Sequence, residues 1–194
     1  MTDAPEIPEA EDPFAKRIAI TIAALAVLIS VIGNKGDNAK TESILKTTEA
    51  ANQWGYYQAK SLKSHAYSVA SEELEVLAVA DPAKRDALVK SFAAKVAKYE
   101  QEKQDIGFGQ QDAGGAWKQV LDDHGQPVIS ARQLRAETDH ASAINDRCDL
   151  GSLLLQIAVI LCSVAILVRL HSFWFLGMAV GSAGAVVGVT AFLM

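Results

Sequence analysis

From Leu150 to Met194 the chain reads as two long apolar segments joined by Arg169-Leu170-His171-Ser172, and no other stretch narrows the possible folds so far. Each arm supplies about the twenty residues that an α-helix needs to cross a hydrocarbon core of roughly 30 Å. Backbone groups in lipid have no water to bond, so each arm must be helical, and so short a turn can join only antiparallel neighbours. The pair reads as a transmembrane hairpin, with helices over 150–168 and 173–194 and the turn at 169–172.

The second arm also carries a packing pattern. Gly177, Gly181, Gly184, Gly188 and Ala191 recur at steps of four and three residues, which places them on one stripe of a helix and includes two GxxxG patterns. Glycine is a poor helix former. Its benefit in lipid is that two backbones can approach closely enough to gain dispersion contact and weak Cα–H···O bonds. Gly151, Leu155, Ala158, Cys162 and Ala165 form a similar stripe on the first arm.

At the other end, residues 1–12 hold five acidic side chains and two prolines against no basic residue, the composition of a disordered tail. Asp12-Pro13 then supplies a helix start, with Pro at the first helical position. After Lys16 and Arg17 comes an apolar run from Ile18 to Ile32, which the flanking residues extend to a span over 13–33. A cleaved signal peptide is the competing reading. The long acidic tail argues against it, as does a further small-residue stripe, Ala19, Ala23, Ala26, Ser30 and Gly33. Three spans sharing small-residue faces predict a compact membrane bundle, repeated in a homo-oligomer.

Residues 34–149 form the water-exposed part. Across the chain 18 basic and 23 acidic side chains leave a net charge of −5, interspersed and without the basic stripe that nucleic acid requires. Asp37 to Ala80 is rich in Ala, Glu, Lys, Leu and Gln and reads as long helix. Asp81-Pro82 ends it and starts a second, with Leu88, Phe92, Val96 and Tyr99 as its apolar stripe. Gly107, Gly109, Gly114 and Gly115 mark a break. A short helix over 116–123, a turn at Gly125-Gln126-Pro127 and a third helix from about Ser130 follow, the last running on into the membrane at Leu150. No period-two alternation appears, so no sheet is expected. The fold class is an all-α membrane protein: three transmembrane helices, one N-terminal and two in a C-terminal hairpin, with a helical domain between the first and second.

The order of these features, with Gln53-Trp54-Gly55-Tyr56-Tyr57-Gln58-Ala59-Lys60-Ser61 after the first span, then Tyr99-Glu100-Gln101-Glu102-Lys103, then Arg147-Cys148-Asp149-Leu150-Gly151 entering a hairpin that holds Trp174, resembles the bacterial membrane-protein family known as domain-of-unknown-function family 4337. The likeness runs over nearly the whole chain after the acidic tail. It implies three spans and a bacterial inner membrane, and carries no activity.

Chemistry-bearing patterns are sparse. The four histidines show no i, i+4 pairing, and there is no CxxC, HExxH or phosphate-binding loop, so neither an enzyme nor a metal or other cofactor is expected. Cys148 and Cys162, fourteen residues apart on one helix, lie about 21 Å apart along its axis, beyond disulfide reach. Among polar residues within the spans, Gln156 is suited to an interhelical hydrogen bond. On the water side, Trp54, Tyr57, Gln58, Lys60 and Ser61 form the candidate interaction surface. The two rings and the polar groups beside them suit either recognition of a partner membrane protein or lipid headgroup, or the packing of this helix on its neighbours.

Lys16, Arg17 and Arg169 lie beside short or terminal loops, where positive charge favours the cytoplasm. The tail and the 169–172 turn are therefore expected inside, and the helical domain outside. Two functional classes fit: an oligomeric, non-enzymatic scaffold or accessory subunit bound to membrane lipid, and a channel-like assembly formed by oligomerisation.

Overall fold

A computed structural model describes residues 13–76, 81–122 and 125–194. The expected acidic tail over 1–12 lies outside the described residues, as do 77–80, Asp123 and His124. The described elements are helix α1 (Pro13–Val76), helix α2 (Pro82–Gly107), strands β1 (Val120–Leu121) and β2 (Pro127–Val128), helix α3 (Ala131–Val168) and helix α4 (His171–Thr190). Stretches of α1, α3 and α4 are long and apolar enough to cross a membrane. The chain divides into two compact units, one of Met1–Thr41 with Ala141–Met194, the other of Glu42–His140.

The first correction to the sequence reading is that the span over 13–33 and the long helix from Asp37 are one helix, α1, of 64 residues. Gly36 serves close approach: a Cβ there would lie 2.9 Å from Cys148 Cβ of α3. Beyond it, hydroxyls that would otherwise compete with the helix bond back onto it, Thr41 Oγ1 donating to Asp37 O at 2.8 Å and Thr47 Oγ1 to Ser43 O at 2.8 Å.

In the unit that holds both termini, α3 and α4 meet backbone to backbone. A Cβ on Gly151 would lie 2.9 Å from both Cα and N of Gly188, and one on Gly184 would lie 3.0 Å from Gly151 O and from Leu155 N. Leu155, Ala158, Cys162 and Ala165 of α3 are buried along this seam, as are Gly177, Gly181, Gly184 and Gly188 of α4. The joining turn is tighter than expected. Arg169 takes a left-handed φ of 55° and Leu170 an extended one, so His171 already belongs to α4.

The packing of α1 here is a second correction. Within its apolar run the buried residues are Ile18, Leu25 and Ile32, while Ala19, Ala23, Ala26 and Ser30 are exposed. Consecutive residues differ by about 100° around a helix, so the small stripe sits one position off the packed face. The reason is shape. The glycines of α4 leave a groove that another small face would not fill, and branched side chains occupy it, Leu25 against Gly181 and Ile32 against Gly188. At the opposite end the Phe14 ring stacks on His171, with centroids 4.0 Å apart, and Trp174 Nε1 donates to Thr21 Oγ1 at 3.4 Å.

In the other unit α2 starts as its sequence predicts, Asp81 Oδ1 accepting from Lys84 N at 3.3 Å with Pro82 at the first helical position. Its inward stripe is Val89, Phe92, Val96 and Tyr99, whereas Leu88 is exposed. Start of α3 likewise matches, with Ser130 Oγ accepting from Gln133 N at 3.1 Å.

Between α2 and α3 the expected short helix and absence of sheet are both wrong. Two successive Asp-x-x-Gly turns fold the chain back twice. Asp112 Oδ1 accepts from Gly114 N and Ala116 N at 2.9 Å, and Asp122 Oδ1 from Gln126 N at 2.8 Å. Gly115 and Gly125 each hold a left-handed φ, 84° and 74°, which glycine adopts without strain. A bridge pairs Gln111 with Trp117, and β1 pairs antiparallel with β2, Val120 opposite Val128. Strands of two residues are too short to leave a periodicity in the sequence.

The glycine contacts set a contrast that thermal unfolding of the purified chain, followed by circular dichroism, will measure. Gly151→Ala meets backbone that cannot move aside and will destabilise by about 1–3 kcal/mol. Gly33→Ala meets nothing within 4 Å, and will be neutral or stabilising by up to about 1 kcal/mol, since alanine favours the helix.

Candidate interaction surface

The Trp54 to Ser68 stretch lies on the part of α1 that packs against α2. Trp54 and Tyr57 are half-buried and turn inward. Their ring centroids are 5.3 Å apart, and Phe108, just past α2, stands edge-on to both at 6.0 and 6.1 Å. Gly107 gives the Tyr57 ring its room, since a Cβ there would lie 2.8 Å from Cδ2. The ammonium of Lys103 stands 5.7 Å from the same ring. These aromatics therefore join two helices of one chain.

The polar members of the predicted surface separate. Lys60 is half-buried, ion-paired with Glu102 and 5.2 Å from the Tyr99 ring centroid. Ser61 is half-buried, while Gln58 points to solvent with Tyr56 and Leu62, which are 62% and 70% exposed. Of the predicted surface only Gln58 thus stays exposed, beside Tyr56 and Leu62.

Two residues of α1 that the sequence reading did not single out, Ser64 and Tyr67, complete the contact. Ser64 is buried and donates to Glu100 Oε1 at 2.7 Å, and Lys103 donates to the same oxygen at 2.8 Å. Those two bonds hold the Glu100 carboxyl below its ordinary pKa, the Lys103 bond contributing most. Tyr67 stacks on Tyr99 at 5.9 Å and takes the ammonium of Lys95 4.6 Å from its centroid. Their signal was present as helical spacing, because Trp54, Tyr57, Ser61, Ser64, Tyr67 and Ser71 recur at three and four residues.

A cavity of about 330 Å³ opens beside Lys60, lined by Lys98, Glu102 and Asp105 on its polar side and by Ile106, Val120 and Val128 on its apolar side. Glu102 there meets Lys98 at 3.6 Å as well as Lys60. Among the described residues no three His, Cys, Asp or Glu side chains converge as metal ligands. Of the expected helix-packing residues, Gly177, Gly181, Gly184 and Gly188 lie in the α3–α4 seam, and Ala19, Ala23 and Ala26 lie on an exposed face of α1.

The class these observations define is a helical protein with three membrane-length apolar stretches and an aromatic-bound helical unit. A family model described as domain of unknown function (DUF4337) matches residues 14–194. The chain belongs to that family. No curated protein and no solved structure matches it.

Two measurements follow from this packing. Trp54→Ala removes a ring shared by two others and will lower stability by about 2–4 kcal/mol in the same thermal assay. The second concerns Lys46, whose Nζ lies 2.7 Å from Glu137 Oε2. The hydrogen bond to Glu137 raises the Lys46 pKa above 10.5, and the bond from Lys46 lowers the Glu137 pKa below 4.5. A lowered carboxyl pKa contributes stability above the unfolded value and loses it as pH falls through the folded one. A raised lysine pKa contributes below 10.5 and loses it as pH rises further. Both groups are partly exposed, so Glu137→Gln will cost under about 1 kcal/mol at pH 7, a difference that will shrink as pH falls below 4.5 and through the lowered folded pKa.

Proposed function

We propose that this chain is a non-enzymatic integral membrane protein, an oligomeric helical scaffold or accessory subunit that crosses the bilayer three times. One observation carries the reading. The apolar stretches of α1, α3 and α4 bury small residues and a single row of branched ones, and turn large apolar side chains outward. Ile20, Val27, Ile160, Leu167, Phe175 and Val186 are each more than 60% exposed. Water would oppose such a surface, whereas lipid tails suit it. Phe14, Trp174 and Phe175 contact one another and lie near Lys16, Arg17 and Arg169 in sequence, the mix of rings and cations typical of a bilayer boundary.

The spans run within 13–33, 150–168 and 173–194, or two residues earlier for the last if its helix is followed. The positive charges at 16, 17 and 169 orient the tail and the turn toward the cytoplasm and the helical domain outward. The scaffold role rests on how unit 2 spends its side chains: rings and charges are paired across its own helices, leaving a surface of helices for binding in place of a reactive group.

Alkaline carbonate extraction tests insertion, and the chain will remain in the pellet. Orientation needs an added cysteine, because Cys148 is fully buried. In spheroplasts, Lys63→Cys will react with a membrane-impermeant maleimide and Thr2→Cys in the tail will react only after lysis. Labelling in the reverse order would invert the orientation, and a soluble chain would end the membrane reading.

A further inference from the structure

The outward face of α3 carries one side chain that lipid cannot accommodate well. Gln156 is exposed, and among the described residues no hydrogen bond reaches its carboxamide. Several other polar groups in the apolar stretches bond along their own helices, and Ser152 Oγ, which also lacks a partner, is turned inward. Ser163 Oγ donates to Val159 O at 2.8 Å, Ser182 Oγ to Ala179 O at 2.9 Å and Thr190 Oγ1 to Val187 O at 2.6 Å. A glutamine has no such bond here. It lies six residues beyond Leu150 and twelve before Val168, about 9 Å and 18 Å along the helix, too deep for its two methylenes to return the amide to water.

We propose that the Gln156 face of α3 docks a second copy of this chain within the membrane, through reciprocal hydrogen bonds between the two Gln156 carboxamides. The inference rests on the membrane reading above and names the contact behind the oligomer. A carboxamide offers two donors and an acceptor, so it is its own complement across a two-fold axis. Depth selects the partner. Copies inserted in one orientation present this group at one level, while any other protein would have to bring a matching polar group to the same depth by coincidence. The surroundings suit a helix contact, because Leu153 and Ile160, one turn to each side, are 53% and 62% exposed and flank the amide with apolar surface.

The test uses the full chain in native membranes. Leu153→Cys and Ile160→Cys, each made separately, will form disulfide-linked dimers under a mild added oxidant, and Ala23→Cys on the exposed face of α1 will not. The native Cys148 and Cys162 are buried and serve as the background. In detergent, Gln156→Leu will weaken dimerisation about tenfold by light-scattering mass, in line with one to two lost interhelical bonds, with helix content unchanged by circular dichroism. Dimers linked through Ala23→Cys in place of the α3 positions would overturn the interface, as would equal dimerisation of Gln156→Leu. A chain that resists carbonate extraction yet is monomeric overturns this proposal alone. A chain released by carbonate overturns the membrane reading with it.

Discussion

The contact between Gly151 and the backbone of Gly188 governs the half of the protein that holds both termini. A side chain at either position would push α3 and α4 apart, and two consequences of their closeness would be lost together. The first is dispersion contact along the seam, which matters most where no hydrophobic effect draws helices to one another. The second is the groove that receives Leu25 and Ile32 of α1. The third helix is therefore fitted to a shape made by the other two. Its large residues are required where theirs are small.

The other unit solves the same problem with opposite materials. Its helices meet through rings and long charged side chains, in contacts such as Tyr67 with Tyr99 and Lys60 with Glu102. Ion pairs this exposed contribute little individually. Their arrangement still fixes register, because Glu100 accepts from Ser64 on α1 and from Lys103 on its own helix through one oxygen. Stability comes mainly from the rings, which cover apolar area while keeping a polar edge at the surface. One chain thus contains packing by backbone proximity and packing by side-chain bulk, each in a unit whose composition suits it.

Much of this was legible from residue order. The Asp81-Pro82 start and the Ser130 start each depend on local chemistry, and each stands where that chemistry indicated. The failures have a common source in tertiary context. Gly33-Asn34 and Gly36 fall at the junction between the span over 13–33 and the helix read from Asp37, where glycine lowers helix propensity, yet Gly36 is held within one helix by its close approach to Cys148. Ala19, Ala23 and Ala26 look like a packing face because small residues often are one, but the partner groove called for the branched residues one position away. Of the two readings of Trp54 and Tyr57, packing on a neighbouring helix is the one found, and Gly107, fifty residues later, is what gives Tyr57 a place to bury. The two ribbons were hidden differently. Their strands are too short for periodicity, and only the repeated Asp-x-x-Gly spacing of Asp112 and Asp122 announced them.

The distribution of polarity also bears on the choice between a scaffold and a channel-like assembly. Within the unit that carries the apolar helices, the buried core consists of Ile18, Leu25, Ile32, Leu155, Ala158, Cys162 and their neighbours. A row of branched and small apolar side chains between three helices leaves no polar track through one chain. Conduction would require a path lined by several copies, and the groups available to line it are those on the exposed faces. There the apolar surface is broken mainly by serines and by Gln156. A carboxamide committed to its twin across an interface is removed from any lumen, so the contact that would hold two copies together also uses the polar group a pore would most need.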